Sequence, residues 1–319
     1  MDGVPWDMSR LRDFEASVGK PVSIVHFGQA WQLDTTMQPF PPRLFDTVRE
    51  HGAIPMVNWG SWRLGYGSEQ PDYRLREISS GRYDAYITQW ARSAKAWGKP
   101  FFLKFNHEMN GWWQFPWAEQ INSNQPGDYV KAWHHVHDIF TREGVTNATW
   151  VWCPNVASAR STPFATLYPG DAYVDWTCLH GYNFGGTEWH NFSQIFSGYV
   201  GNPYNSYQQL VNLAPSKPMM LGEWGSNEAG DGGVKKAAWI RDALAVQIPY
   251  NYPQIKAVVW FNWNSNPHGS VLIDSSAASL QAWRDAVAAS IYGTNQFGTL
   301  TTSPIPVWAR ASIESHPFP

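Results

Sequence analysis

Short apolar runs alternate along this chain with stretches of helical spacing, and that rhythm constrains the fold more than any other feature. Seven runs stand out: PVSIVHFG (21–28), AIPMVNW (53–59), PFFLKFNH (100–107), ATWVWCP (148–154), VDWTCLHGY (174–182), PMMLGEW (218–224) and IKAVVWFNW (255–263). Each is rich in β-branched or aromatic residues, as strands covered on both faces are. Between them, Tyr83, Ile87, Trp90, Ala94 and Trp97 keep helical spacing up to Gly98, and Tyr129, Val130, Trp133, Val136 and Phe140 do so up to Gly144. Val234, Ala237, Ala238, Arg241 and Leu244 give a weaker helix, and Leu280, Trp283 and Val287 a last one. Strands alternating with helices imply a parallel sheet, closed or doubly wound. No Gly-rich phosphate loop follows the first strand and no linker marks a second domain. The expected fold is therefore an α/β, (β/α)8 TIM barrel over residues 1–295. A Pro-rich tail, 296–319, is expected to wrap it or lead to a linker. A closed barrel needs an eighth strand. Because a helix-like stretch (Trp6 to Val18) precedes the first run, the missing strand is expected to be the first. It is absent from this stretch of sequence, or replaced by residues 1–6 or by the tail after Gly298.

Charge narrows the partners. A net charge of -3 with no Lys/Arg cluster argues against nucleic acid or an anionic membrane surface. No apolar run is long enough to span a bilayer. The opening MDGVPWDMSR lacks the basic and apolar regions of a secretory signal. Cys153 and Cys178 form no metal-binding spacing and are expected as buried free thiols on neighbouring strands, with a disulfide as the lesser reading. The unusual feature is 20 Trp, 14 Tyr and 16 Phe, several beside Gly, Asn and Pro at strand ends, where rings can stack on a flat ligand such as a sugar.

In a barrel, reactive groups sit at the carboxyl ends of strands. Two acids meet that condition. Glu108 ends PFFLKFNHE, and Glu223 ends PMMLGE. Alternation points Lys104, Asn106 and Glu108 the same way. Burying a carboxylate costs several kcal/mol unless it is paired or useful, so two in such places are informative. Facing carboxylates, one protonated and one ionised, are what glycosidic cleavage requires. The plain alternative is that either one merely salt-bridges inside the barrel, for example with Lys104.

HEMNGWW (107–113) followed by GEWG (222–225) resembles glycoside hydrolase family 26, a member of the large clan of retaining barrel glycosidases. The likeness runs from PWDMSRLRDFE to VVWFNW. It implies that Glu108, on the fourth strand once a missing first is counted, is the acid/base, and Glu223, on the seventh, the nucleophile. It also implies that His107 touches the sugar, that Tyr182 hydrogen-bonds the nucleophile and that Trp260 floors the pocket. Alternation adds His180 to the face of Tyr182, although a satisfied core histidine explains His180 equally well. Trp112, Trp113 and Trp117 are candidate sugar platforms, at least one of them packing the loop, and Asn110 joins the candidate binding residues. Asn58, Trp59, Trp62 and His26 lie at strand tops, where they are expected to line the cleft, and are given no chemistry.

The expected activity is retaining endo-hydrolysis of a plant-type β-glycan without metal or cofactor, by a secreted monomer. Its partner is a polysaccharide or oligosaccharide. The loop ending in Phe115, Pro116 and Trp117 resembles the glucanase branch of family 26 slightly more than its mannanases, and the resemblance implies mixed-linkage β-1,3-1,4-glucan as substrate, with β-1,4-mannan nearly level and β-1,3-xylan third. A carbohydrate-binding protein on a dead scaffold and a metal-dependent hydrolase are the readings from other classes. His134, His135 and His137 look like a metal cluster, but only His134 and His137 approach one helix face.

Overall fold

The computed structural model describes residues 3–112, 115–185, 188–265 and 269–308. All seven expected strands form. They are β1 (Ile24–Leu33), β3 (Ile54–Arg63), β4 (Phe101–Phe105), β5 (Ala148–Trp152), β6 (Trp176–Asn183), β7 (Met219–Ser226) and β8 (Ile255–Trp260), with a two-residue β2 (Thr36–Met37) after β1. One sheet results, in the order β2-β1-β3-β4-β5-β6-β7-β8. It is parallel throughout except for β2, which folds back on β1. Ten α-helices are found among the described residues: α1 (Ser9–Val18), α2 (Pro42–Glu50), α3 (Leu75–Ser79), α4 (Asp84–Trp97), α5 (Asp128–Arg142), α6 (Phe164–Leu167), α7 (Phe192–Ser197), α8 (Ser206–Leu213), α9 (Val234–Arg241) and α10 (Ala277–Val287). The layout is that of a (β/α)8 barrel. Gly98 stops α4 in the left-handed conformation that only glycine adopts without strain.

Strand alternation divides the core into two layers. Ile54, Met56, Phe102, Val151, Trp176, Cys178 and Met220 fill the barrel interior. Val57, Trp59, Leu103, Phe105, Leu179, Leu221 and Trp224 face the helices instead. That outer layer absorbs most of the tryptophan. Trp31, Trp59, Trp90, Trp133, Trp152 and Trp224 are fully buried, and Trp59 stacks on Trp90 with centroids 4.6 Å apart. Trp59 therefore packs against a helix rather than lining a cleft.

The sheet does not close. Among the described residues β8 and β1 share no ladder, and a cavity of ≈ 760 Å³ separates them, bordered by Val4 and Trp6 and by Phe297, Val307 and Trp308. Among the described residues, neither those before α1 nor those of the tail supply a strand. The tail runs across the amino-terminal ends of the strands. Phe297 N donates to Gly52 O (2.7 Å) and Ile305 N to Thr149 Oγ1 (2.8 Å), while Trp176 Nε1 donates to Ile305 O (2.8 Å).

Cys153 and Cys178 are joined in a disulfide, which corrects the expectation of free thiols. Both turn into the barrel interior, and pairing of adjacent strands brings their Cα atoms to 4.3 Å. Cys153→Ala is expected to lower stability by about 3 kcal/mol, the loop-closure value for a link of this span. Denaturant melts of variant and parent, both non-reduced, measure it. The three helix histidines each have separate partners: His134 Nε2 lies 2.7 Å from Pro169 O, His135 Nε2 2.6 Å from Asp84 Oδ1, and His137 Nδ1 3.4 Å from Thr141 Oγ1.

Candidate active site

The expected alternation past the end of β4 fails, and the failure positions Glu108. Lys104 points into the barrel, but after Phe105 the chain adopts positive φ at Asn106 (46°) and Glu108 (54°). Non-glycine residues held there store roughly 1–3 kcal/mol each and persist only when their surroundings over-determine them. The surroundings do so here. Ser61 N donates to Asn106 Oδ1 (2.9 Å) and Asn106 Nδ2 to Ser61 Oγ (2.8 Å). Glu108 N donates to Cys153 O (2.7 Å), and Trp117 Nε1 to His107 O (2.7 Å). Asn106 is thereby turned to β3, away from the face it was expected to share with Glu108.

Glu223 reaches the interior by a different device. Leu179 pairs with Leu221, but His180 pairs with Glu223, so Gly222 is an extra residue in β7. Simple alternation would place Glu223 beside Leu221 on the helix side. The bulge turns it inward and sends Trp224 out to Phe192 and Trp239. Gly222 is also the only residue that fits: a Cβ there would clash with Cys178 Sγ and stand 3.1 Å from Lys104 Nζ.

The two carboxylates then meet. Glu108 and Glu223 have oxygens within 4.8 Å of one another and of a His180 ring nitrogen, and both are nearly buried. Asn58 Nδ2 donates to Glu223 Oε1 (2.9 Å) and Tyr182 Oη to Oε2 (2.8 Å). His26 Nε2 and Lys104 Nζ each lie 3.6 Å from Oε1. On the other acid, His180 Nδ1 lies 2.8 Å from Glu108 Oε1, while His180 Nε2 lies 2.8 Å from Lys104 Nζ. Their proton affinities diverge. Burial, helped by the Glu223 charge, pushes Glu108 up to about 7 against the opposing His107, Asn155 and Lys104. Burial works the same way on Glu223, but His180, Lys104, His26 and His107 together outweigh it and hold Glu223 well below the usual carboxylate range. A proton-holding acid and an anion thus face each other, the pairing that glycosidic cleavage requires. Glu108, His180 and Glu223 are also close enough to chelate a metal, but internal hydrogen bonds already engage all three.

The other expected residues are placed as follows. His107 lies beside Phe115 (4.8 Å between centroids), its Nδ1 buried without a hydrogen-bond partner among the described residues. Asn110 ties two loops together: Nδ2 donates to Asn155 O and Oδ1 accepts from Asn155 N, both at 2.9 Å. Trp112 is 37% exposed, with Arg160 over its ring at 3.3 Å. Trp113 lies outside the described residues. Trp117 is fully buried and is the loop-packing member of that trio. Trp260 turns towards Trp224 (5.0 Å) and Trp283 (5.1 Å), and its Nε1 donates to Val271 O. The neighbours of Glu223 include Asn58 and His26, placed at strand tops by the sequence but given no chemistry, and Lys104, the ion-pair partner offered as the plain alternative. Beyond Tyr182 runs a line of rings: Phe184 stacks on Tyr182 at 4.9 Å, Phe261 meets Tyr182 edge-on at 5.6 Å, and Trp263 stacks on Phe261 at 6.3 Å. Trp263 could have been suspected from its position in VVWFNW. Phe184 carried no signal beyond its nearness to Tyr182.

A barrel holding two buried acids of opposite proton affinity at its strand ends belongs with the glycosidases. The chain is a member of glycosyl hydrolase family 26, whose family model matches residues 45–218, a stretch that includes Glu108, His180 and Tyr182. Endoglucanase H of Acetivibrio thermocellus is 34% identical over 309 residues, which are 93% of this chain and 31% of that protein. Beta-1,3-xylanase TXYA of a Vibrio species is 28% identical over 109 residues, 33% of this chain and 22% of that one. This chain therefore spans about a third or less of the curated relatives it matches. Among solved structures, a modular endo-β-1,4-mannanase from Cellulomonas fimi superposes with a TM-score of 0.64 at 19% identity, covering 93% of this chain and 70% of that one. That likeness concerns the fold.

Proposed function

We propose that the chain is a retaining endo-β-glycanase acting on mixed-linkage β-1,3-1,4-glucan, with Glu108 as acid/base and Glu223 as nucleophile. The observation that carries this reading is the pair of carboxylates within 4.8 Å of each other, one proton-holding and one ionised. Glu223 attacks the anomeric carbon while Glu108 gives its proton to the departing glycosidic oxygen, leaving a glycosyl ester on Glu223. Esterification removes the Glu223 charge, and with it the charge that helped hold the proton on Glu108. Glu108 can then take a proton from water, which attacks the ester and restores both acids. His107 Nδ1 is buried and has no hydrogen-bond partner among the described residues; a sugar hydroxyl is the partner this reading gives it. The glucan assignment follows the name of Endoglucanase H, matched over nearly the whole of this chain. Extracellular action follows from the size of such a polymer and accords with a disulfide in the barrel.

Two consequences are measurable. Glu108 must be protonated to act, so kcat/KM should fall as pH rises through about 7. Glu223 must be ionised, so the acid limb should lie well below the ordinary carboxylate range. An initial-rate pH profile on soluble glucan checks both limbs. Tyr182→Phe keeps the ring but removes the hydroxyl donated to Glu223 Oε2. A hydrogen bond to a charge is worth about 1.5–3 kcal/mol, so kcat should drop by roughly 10- to 100-fold. Reducing-sugar release from mixed-linkage glucan, glucomannan, galactomannan and β-1,3-xylan tests the substrate. Fastest release from the glucan supports the assignment, and fastest release from a mannan moves it to mannanase. Binding without release moves it to a sugar-binding scaffold.

A further inference from the structure

Lys104 is wholly buried at the centre of the barrel mouth, on a strand whose neighbouring residues are apolar. It touches the surroundings of both acids. Nζ stands 2.8 Å from His180 Nε2 and 3.6 Å from Glu223 Oε1, and the far side of the same imidazole, Nδ1, stands 2.8 Å from Glu108 Oε1. The pocket around that contact is built for it. Gly222, the bulge residue, lies where any side chain would press on Lys104 Nζ and, at 3.2 Å, on His180 Nε2. We propose that Lys104 is a positioning residue: its ammonium pairs with Glu223 and donates to His180 Nε2, fixing the imidazole as the Nδ1–H form that donates to Glu108. The proposal rests on the roles given to Glu108 and Glu223 above.

The logic is one of donors and charges. An ammonium has only donors, so a lysine in contact with Nε2 requires that nitrogen to accept and leaves the ring proton on Nδ1. Glu108 Oε1 then receives that proton's hydrogen bond, leaving Oε2 to carry the proton destined for the leaving group. The groups facing Glu223 are His26 from β1, Lys104 and Glu108 from β4 and its following loop, His107 beside Glu108, and His180 and Tyr182 from β6. Burial drives His107 and His180 down to about 3 and His26 well below its ordinary value. All three imidazoles are therefore neutral in the working range. Burial lowers Lys104 too, but with Glu223 and Glu108 opposing, only to about 8. It is the group among these that still carries a positive charge at neutral pH.

The test is a pH profile. Lys104→Met should move the acid limb of kcat/KM upward by roughly 1–3 pH units, the usual effect of an opposite charge at this range. Lys104→Arg, which keeps the charge, should leave that limb near its parental position even where kcat falls. A merely structural lysine would depress the rate at every pH without moving the limb, and that outcome overturns the proposal. The parent protein supplies a second reading that no misfolded variant can spoil. Imidazole 15N shifts should show His180 protonated on Nδ1 and bare on Nε2; a proton on Nε2 excludes donation from Lys104. Labelling the parent with a 2-deoxy-2-fluoro-glycosyl fluoride separates the two layers of the account. A label away from Glu223 overturns the catalytic reading and the Lys104 role with it. A label on Glu223 with an unmoved acid limb in Lys104→Met overturns the Lys104 role alone.

Discussion

Glu223→Ala is expected to lose at least about 10⁴-fold in kcat, the scale seen when a nucleophile is removed from a unit that acts together. Added azide should restore part of that loss. Truncation opens space beside the anomeric carbon, and the groups that held the carboxylate remain: Asn58 Nδ2, Tyr182 Oη and Lys104 Nζ still converge there. They suit any small anion. Azide entering from that side meets the sugar on the face Glu223 would have attacked, while Glu108 still protonates the leaving group. The product should be an α-glycosyl azide, inverted relative to the β-linked substrate. A β-azide, or activity that survives the substitution, contradicts the role given to Glu223.

Glu108→Ala should behave differently, and the contrast identifies the roles more securely than either loss alone. General acid catalysis is worth about 10²–10⁴-fold, so cleavage of the polymer, whose leaving alkoxide needs a proton, should fall by that much. An aryl glycoside with a dinitrophenolate leaving group needs no such help. It should be attacked by Glu223 at close to the parental rate, giving a burst of phenolate followed by slow turnover because no base activates water. Azide attacks the glycosyl ester without a base and should speed that second step, giving a β-azide. Equal losses on both substrates, with no burst, would mean that Glu108 has a structural part only.

Much of this site could be read before folding, for reasons that particular residues show. Glu108 and Glu223 stood out as candidates because a strand buried on both faces has few positions where a polar group survives, and those lie at its carboxyl end, while Tyr182 was singled out by the family resemblance. Lys104 and His180 were visible as polar residues on the inward faces of β4 and β6. Their contact was not, because it depends on which strands become neighbours and at what height. The bulge at Gly222 was illegible: period-two alternation sends Glu223 to the helix side, and only the register shift against His180 brings it in. Positive φ at Asn106 and Glu108 breaks the same rule on β4. Asn110 looked like a sugar ligand because it follows the catalytic motif, yet both ends of its amide hold Asn155. The cysteines sat on adjacent strands in either reading, and only their common inward direction makes them a bond. The tryptophans misled in one respect. Their number suggested a sugar-lined cleft, whereas most of them pack the outer layer against helices.

The most direct measurement of the central claim is the anomeric configuration of the first product, followed by 1H NMR in the opening minutes of glucan hydrolysis. Two displacements at one carbon, through an ester on Glu223, predict that the β-anomer of the new reducing end appears first and then mutarotates towards equilibrium. Initial release of the α-anomer would mean a single displacement by water, and the assignment of Glu223 as nucleophile would fall.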